Sequence, residues 1–154
     1  MRLLRYRPRS VAEVRRRLLA LRFTDQETEK AVATAKAAGL LDDEVFTKVW
    51  VEDRLLHHPL SRRAIKQELA DKGIDKGTVD ETLEKLYPAE KEKELALSLA
   101  QTRLARYSSL DRAKQMQRTT SFLIRRGFNP ALASQVVRGV IERLSEREIG
   151  ELSD

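Results

Sequence analysis

One spacing pattern occurs three times in this sequence: a leucine, four further residues, a large apolar residue, and then a polar residue of the type that begins helices. The copies run from Leu18 to Phe23-Thr24, from Leu69 to Ile74-Asp75, and from Leu123 to Phe128-Asn129, with offsets of 51 and 54 residues. A repeat of about 50 residues is typical of stacked helical units rather than of one enzyme core around a pocket. We therefore predict a surface that docks another macromolecule.

Helix signals divide each copy into three helices. Ser10 with Glu13, and Thr24 with Glu27, have the spacing of a capping box, in which each residue's side chain accepts from the other's amide. Three glycines are predicted to end helices, and three polar residues are predicted to begin them: Gly39, Gly73, Gly127, Asp42, Asp75 and Asn129. No segment alternates like a strand. The predicted fold class is all-α, with three tandem three-helix repeats of the helix-turn-helix kind.

The predicted repeats are residues 1–39, 40–87 and 88–145, followed by a polar tail, 146–154, that we expect to fray beyond Leu144. The first repeat begins with a short helix from Arg2 to Arg7. Arg22 stands where the other repeats have glycine, so we expect the helix before it to end differently. The predicted inner faces carry Val11, Val14, Leu18 and Leu21, then Val45, Phe46, Val49, Trp50 and Leu56, and finally Met116 and Leu123.

Composition narrows the classes of protein and site. The chain has no cysteine, which excludes disulfides, thiolate metal sites and cysteine nucleophiles, and it favours a reducing, cytoplasmic location. No apolar run approaches the roughly 20 residues of a membrane helix. The first residues lack the apolar region of a signal peptide.

The net charge of +6 is unevenly distributed. Residues 1–22 carry eight arginines against one acidic residue, and residues 111–138 are also strongly basic, whereas the middle and the tail are net acidic. Two basic regions around an acidic middle fit an anionic partner that is contacted at two places. The charge distribution fits equally well an arginine-rich helical protein whose basic faces are simply solvated.

The best candidate binding residues lie on the predicted helix from Asp111 to Arg126. Lys114, Arg118 and Arg125 fall within about 40° of one another at 100° per residue, and Arg126 adds a donor at the helix end. Such a row suits phosphates or an acidic groove on a protein. A solvated outer face is the alternative interpretation.

A second candidate cluster consists of arginines only: Arg5, Arg7, Arg9, Arg16 and Arg17. The planar guanidinium group can grip phosphate or carboxylate with two hydrogen bonds. Here too an ordinary solvated face is the alternative. The two clusters could meet different targets, one DNA and the other an acidic protein surface.

Other conspicuous residues have simpler explanations. Phe46 and Trp50 are predicted to be core residues rather than base-stacking platforms, although Tyr107 and Tyr6, near basic residues, stay open as stacking candidates. His57 and His58 diverge by about 100° on a helix and are poorly placed to share a metal. Asp42 and Asp43 are predicted to cap a helix. We predict no catalytic residue, no metal and no cofactor.

Several of these features together resemble one family. The run from Gly39 to Asp43, followed by Phe46, Trp50 and Arg54, resembles the signature of the RecX family, the bacterial regulators of the RecA recombinase. Supporting segments occur in every repeat, in order: Ser10 to Leu19, Ile65 to Asp75, and Phe122 to Phe128.

The resemblance implies an elongated, curved array of three modules that binds along the groove of the RecA–DNA filament. It also implies inhibition of strand exchange and of ATP hydrolysis, by blocking filament growth or promoting disassembly. We expect a non-enzymatic monomer that binds nucleic acid only weakly alone. A general DNA-binding helical module and a purely protein-docking solenoid are the alternatives.

Overall fold

The computed structural model describes the backbone of residues 8–151 and the side chains of residues 8–147. These residues form eight helices and no strand, which confirms the predicted all-α class. The helices are α1 Val11–Ala20, α2 Asp25–Ala37, α3 Asp43–His57, α4 Arg62–Asp71, α5 Lys76–Leu86, α6 Ala89–Arg106, α7 Arg112–Arg125 and α8 Pro130–Glu151. None of these described helices is long and apolar enough to cross a lipid bilayer. The predicted helix from Arg2 to Arg7 lies outside the described residues.

The described helices group into two compact units. Unit 1 holds residues 8–58 and 65–86, and unit 2 holds residues 59–64 and 87–151. Helix α4 therefore contributes its first residues to unit 2 and the rest to unit 1. The repeat boundaries at residues 39, 87 and 145 stay predictions.

Polar caps begin the helices as the sequence predicts. Both capping boxes are complete, at Ser10 with Glu13 and at Thr24 with Glu27. Asp42 accepts hydrogen bonds from the amides of the first turn of α3. Asp43 has a different role from the one predicted, because its Oδ1 accepts from the amide of Val11, 2.9 Å away, at the start of α1.

The leucine and the large apolar residue of the repeated pattern form the same type of helix C-terminus in each copy. The amide of the second residue donates to the carbonyl of the first at 3.1–3.2 Å, in the pairs Phe23 to Leu18, Ile74 to Leu69 and Phe128 to Leu123. The residue before each donor is left-handed, with φ of 66° at Arg22, 75° at Gly73 and 88° at Gly127. This is the six-to-one bond of a Schellman ending. The expectation that Arg22 would end its helix differently is therefore wrong.

Unit 1 buries a different face of α3 from the one predicted. Phe46 is buried as expected, together with Thr47 and Val51, and the Thr47 hydroxyl donates to the carbonyl of Asp43. By contrast, several residues assigned to inner faces are exposed: Leu21 51%, Val45 58%, Val49 43% and Leu56 76%. Helix α3 has two apolar faces; the face that carries Phe46 is buried, the face that carries Val45 and Val49 is exposed, and α3 packs against α5.

Unit 2 is built around small residues on α6. Ala96 and Ala100 are fully buried and allow α8 to approach closely, so that Val136, Val137 and Val140 complete the core with Phe122 and Leu123. Met116, assigned to the inner face of α7, is instead 43% exposed, because Gln115 and Thr119 occupy the buried side. Helix α8 continues to Glu151, through the segment expected to fray.

The buried Tyr87 holds the segment before α4 in place within unit 2. Its hydroxyl donates to the carbonyl of Leu60 at 3.0 Å, and burial raises the pKa of Tyr87 well above its usual value. The phenol therefore stays protonated and keeps this hydrogen bond.

The start of one helix meets the left-handed glycine at the end of another in each unit. In unit 1, the Ser10 hydroxyl donates to the carbonyl of Lys72 at 2.6 Å, and a Cβ on Gly73 would lie 2.4 Å from the Cβ of Ala12. In unit 2, the Ser61 amide donates to the carbonyl of Arg126 at 3.0 Å, and a Cβ on Gly127 would lie 2.6 Å from the Ser61 hydroxyl. Glycine is required at both contacts for space, and it also adopts their left-handed conformation without strain.

Candidate partner-binding surface

Helix α7 positions the basic stripe, which we define as Lys114, Arg118 and Arg125. Asp111 begins the helix by accepting a hydrogen bond from the amide of Lys114. The core side of α7 carries Gln115, Thr119, Phe122 and Leu123, and all three residues of the stripe are exposed. The stripe is therefore a solvent-facing surface on unit 2.

Two arginines of the stripe border a shallow groove with an aromatic ring. The groove measures about 440 Å³ and is lined by Tyr107, Gln117, Arg118, Ser121 and Arg125, and we call it the arginine–tyrosine groove. The guanidinium carbon of Arg118 lies 5.8 Å from the centre of the Tyr107 ring. In such a groove the cationic donors can bind a phosphate, and the aromatic ring can stack on a base.

Lys114 is partly engaged within its own helix. Its Nζ lies 3.0 Å from Oδ2 of Asp111, in an exposed ion pair. The pKa of Asp111 is lowered because its carboxylate accepts from the backbone amide and the side chain of Lys114. An exposed pair of this kind exchanges partners readily and is weakened by salt, so Lys114 contributes a screened charge beside the groove.

Arg126, the fourth candidate, is the C-terminal cap of α7 and makes a contact inside unit 2. It is half-buried, it donates to the carbonyl of Pro59 at 3.2 Å, and its guanidinium carbon lies 5.2 Å from the ring centre of Phe122. The geometry gives Arg126 a packing role, and a contact with a partner stays a prediction.

The N-terminal arginines are described only in part. Arg5 and Arg7 lie outside the described residues. Arg9 is half-buried, Arg17 is exposed, and Arg16 is exposed while donating to the carbonyl of Asp71 at 3.2 Å. Arg16 thereby contacts the C-terminal end of α4, where a cation is favourable. These residues belong to unit 1, whereas the basic stripe belongs to unit 2.

The histidines show no arrangement that would hold a metal. Nδ1 of His57 lies 3.1 Å from Oδ1 of Asp53 on the same helix, and His58 is the C-terminal cap of α3. No group of three potential metal ligands occurs among the residues that the structure describes.

Comparison with known proteins identifies the family. Family models for the second and third three-helix domains of RecX match residues 42–83 and 90–137. Regulatory protein RecX of Mycobacterium leprae is 36% identical over 149 residues, which cover 96% of this chain and 85% of that protein. Regulatory protein RecX of Streptomyces coelicolor is 31% identical over 146 residues, covering 95% and 77%. The chain belongs to the RecX family.

Solved RecX structures share the fold. A crystal structure of RecX from Lactobacillus salivarius superimposes with a TM-score of 0.74 at 21% identity, covering 90% of this chain and 89% of that one. A second crystal structure of regulatory protein RecX gives a TM-score of 0.70 at 22% identity, covering 87% and 66%. These matches show that the chain shares the fold of these two structures.

The residues that carried the RecX resemblance form a packed cluster in unit 1. Trp50 stacks on Phe46 with ring centres 5.6 Å apart, and Arg54 lies 4.4 Å from the Trp50 ring. Glu68 accepts hydrogen bonds from Nε1 of Trp50 and Nε of Arg54, at 2.8 and 2.7 Å. These hydrogen bonds hold α3 against α4. Phe46 is buried, as predicted. Trp50, which was also predicted to be a core residue, is only half-buried.

Sequence reasoning missed a larger groove in this RecX-family chain. About 720 Å³ in volume, it lies where α6 ends, α7 begins and α8 passes, and we call it the α8 groove. Its lining includes Leu104, Leu110, Arg112, Val140, Arg143, Leu144 and Arg147. Val140, Arg143, Leu144 and Arg147 have the spacing i, i+3, i+4 and i+7 of one helix face. This spacing is visible in the sequence, but it extends past Leu144, where the helix was expected to end.

Proposed function

We propose that this chain regulates the RecA recombinase by binding in the groove of the RecA–DNA filament. In this proposal the bound chain inhibits RecA: it blocks filament extension, strand exchange and ATP hydrolysis. Membership of the RecX family supports the regulatory role, and the exposed basic stripe supports contact with a polyanionic filament.

The arginine–tyrosine groove is the observation that carries the proposal. Arg118 and Arg125 present guanidinium groups that can each make two hydrogen bonds to a phosphate. Tyr107 adds a ring face beside them, so an exposed nucleotide of the filament could be held at both its phosphate and its base. Arg16 and Arg17 would add a second contact from unit 1.

The proposed mechanism is steric and involves no chemistry by this chain. Side chains that occupy the filament groove would prevent an incoming duplex or the next recombinase subunit from engaging. The hydrolysis that is inhibited belongs to RecA, which holds the nucleotide.

The first experiment measures RecA-driven strand exchange and ATP hydrolysis while this protein is titrated at substoichiometric amounts. We expect inhibition by the wild type, and inhibition weakened about tenfold or more when Lys114, Arg118 and Arg125 are changed together to alanine, since several charge-assisted contacts are lost. A control with Lys30, Lys36 and Lys76 changed to alanine removes the same charge from exposed positions of unit 1. Equal inhibition by the two triple variants would rule out the basic stripe as the contact.

Binding to naked DNA separates this proposal from its alternatives. A general DNA-binding module would bind duplex DNA tightly without RecA, with a log–log salt slope of about −0.9 per phosphate neutralised. A purely protein-docking solenoid would bind RecA equally with and without DNA. We expect weak binding to DNA alone and much stronger binding to the assembled filament.

A further inference from the structure

The α8 groove exists because α8 is longer than the helices it packs against. At about 1.5 Å per residue, the 22 residues of α8 exceed the 14 residues of α7 and the 18 residues of α6. The groove is bordered by Asp111, the N-terminal cap of α7, by Arg112, the first residue of α7, and by α8 from Val140 to Arg147. The later turns of α8 therefore present one side to this opening.

Apart from Gln115, the buried residues that line the groove are apolar. Leu104 and Val140 are buried at its base, while Leu110 is half-buried and Leu144 is 37% exposed. Gln115 holds the loop at one edge, because its amide nitrogen donates to the carbonyl of Leu110 at 2.8 Å. Apolar side chains that are accessible in a preformed groove favour an apolar ligand surface.

The rim of the groove is cationic. Arg112, Arg143 and Arg147 line it, and the Arg143 guanidinium is positioned by a 3.1 Å hydrogen bond from Nε to the carbonyl of Gly139. Asp111 is the one acidic residue among the described residues of the lining, and its carboxylate is already engaged by Lys114. The field at the groove therefore favours an anionic ligand.

We propose that the α8 groove docks an acidic amphipathic helix of a partner protein. Apolar residues at helical spacing would contact Leu110 and Leu144, and carboxylates on the flanks would pair with Arg143 and Arg147. Nucleic acid is a poorer fit, because phosphates gain nothing from an apolar floor. The arginine–tyrosine groove, which is polar and has an aromatic ring, shows the opposite character. The proposal does not depend on whether the basic stripe binds the RecA–DNA filament.

The test uses two synthetic peptides and isothermal titration calorimetry on the full chain. Both peptides place leucines at i, i+3, i+4 and i+7, and one carries glutamates at the flanking positions where the other carries lysines. We expect the glutamate peptide to bind about tenfold or more tightly than the lysine peptide, a difference of about 1.4 kcal/mol. Comparable affinities for the two peptides would overturn the proposal.

Matched variants on α8 locate the binding. Arg147→Glu and Leu144→Ser, both at exposed positions, should each weaken the glutamate peptide about tenfold, with unchanged helicity by circular dichroism. Arg138→Glu is the control, since Arg138 is exposed on the same helix and lines a different groove. The proposal fails if Arg138→Glu weakens binding as much as Arg147→Glu does. It also fails if a single-stranded oligonucleotide displaces the peptide in direct competition.

Discussion

Helices α1 and α4 end in the same backbone turn but with different residues, Arg22 and Gly73. Both residues are left-handed, and both are followed by an apolar residue that bonds back to a leucine carbonyl. The start of α1 lies against Gly73, where an added Cβ would be 2.4 Å from Ala12, whereas Arg22 is exposed. A left-handed helix end thus tolerates a side chain, and close packing by another helix is what demands glycine.

The largest expected effect comes from Gly73→Ala. The new Cβ combines a left-handed backbone cost with overpacking against Ala12, so we expect unit 1 to lose about 2–4 kcal/mol of stability. Urea unfolding followed by circular dichroism measures this loss. Gly39→Ala is the control, because Gly39 has a similar φ of 69° and a Cβ added there would meet nothing within 4 Å, so only about 1 kcal/mol should be lost. Equal losses in the two variants would contradict the packing argument.

An intermediate effect is expected for Ser10→Ala. The Ser10 hydroxyl accepts from the amide of Glu13 and donates to the carbonyl of Lys72, so its removal takes this hydrogen bond from each of two backbone groups. We expect a loss of about 2 kcal/mol. Thr24→Ala removes an exposed cap whose hydroxyl bonds to Glu27 of its own helix, and it should cost about 1 kcal/mol. If Ser10→Ala and Thr24→Ala shift the urea midpoint equally, the hydrogen bond from Ser10 to Lys72 makes no net contribution to stability.

The smallest expected effect is a gain. Arg22→Gly relieves the left-handed conformation of a residue with a Cβ, partly offset by the greater freedom of glycine in the unfolded chain, so stability should rise by up to about 1 kcal/mol. A small increase in the urea midpoint would show it. A decrease would mean that the Arg22 side chain makes a stabilising contact that outweighs its backbone conformation.

The parts of the fold set by neighbours in sequence were the predictable ones. Both capping boxes, at Ser10 and Thr24, and the cap at Asp42 depend on residues two or three positions apart, so their spacing sufficed. The buried position of Phe46 was also foreseen. The exposure of Val45 was not, because periodicity finds both apolar faces of α3 and only tertiary packing selects one.

The candidate binding surface was also predictable only where it depends on residues close in sequence. The spacing of Lys114, Arg118 and Arg125 indicated one row, and the structure leaves that row exposed. Two features depended on distant contacts and had no local signal. Arg126 is engaged by the carbonyl of Pro59, 67 residues away in the chain. The α8 groove needs α6, α7 and α8 together, and an expected helix end at Leu144 hid it.

The packed cluster around Trp50 also gives the protein an intrinsic fluorescent probe. Trp50 is the one tryptophan of the chain, and it lies in unit 1, stacked on Phe46 and bonded to Glu68. Its ultraviolet emission will therefore move to longer wavelengths when water enters unit 1, without any attached dye. Unit 2 holds no tryptophan, so emission excited at wavelengths that only tryptophan absorbs reports on unit 1 alone.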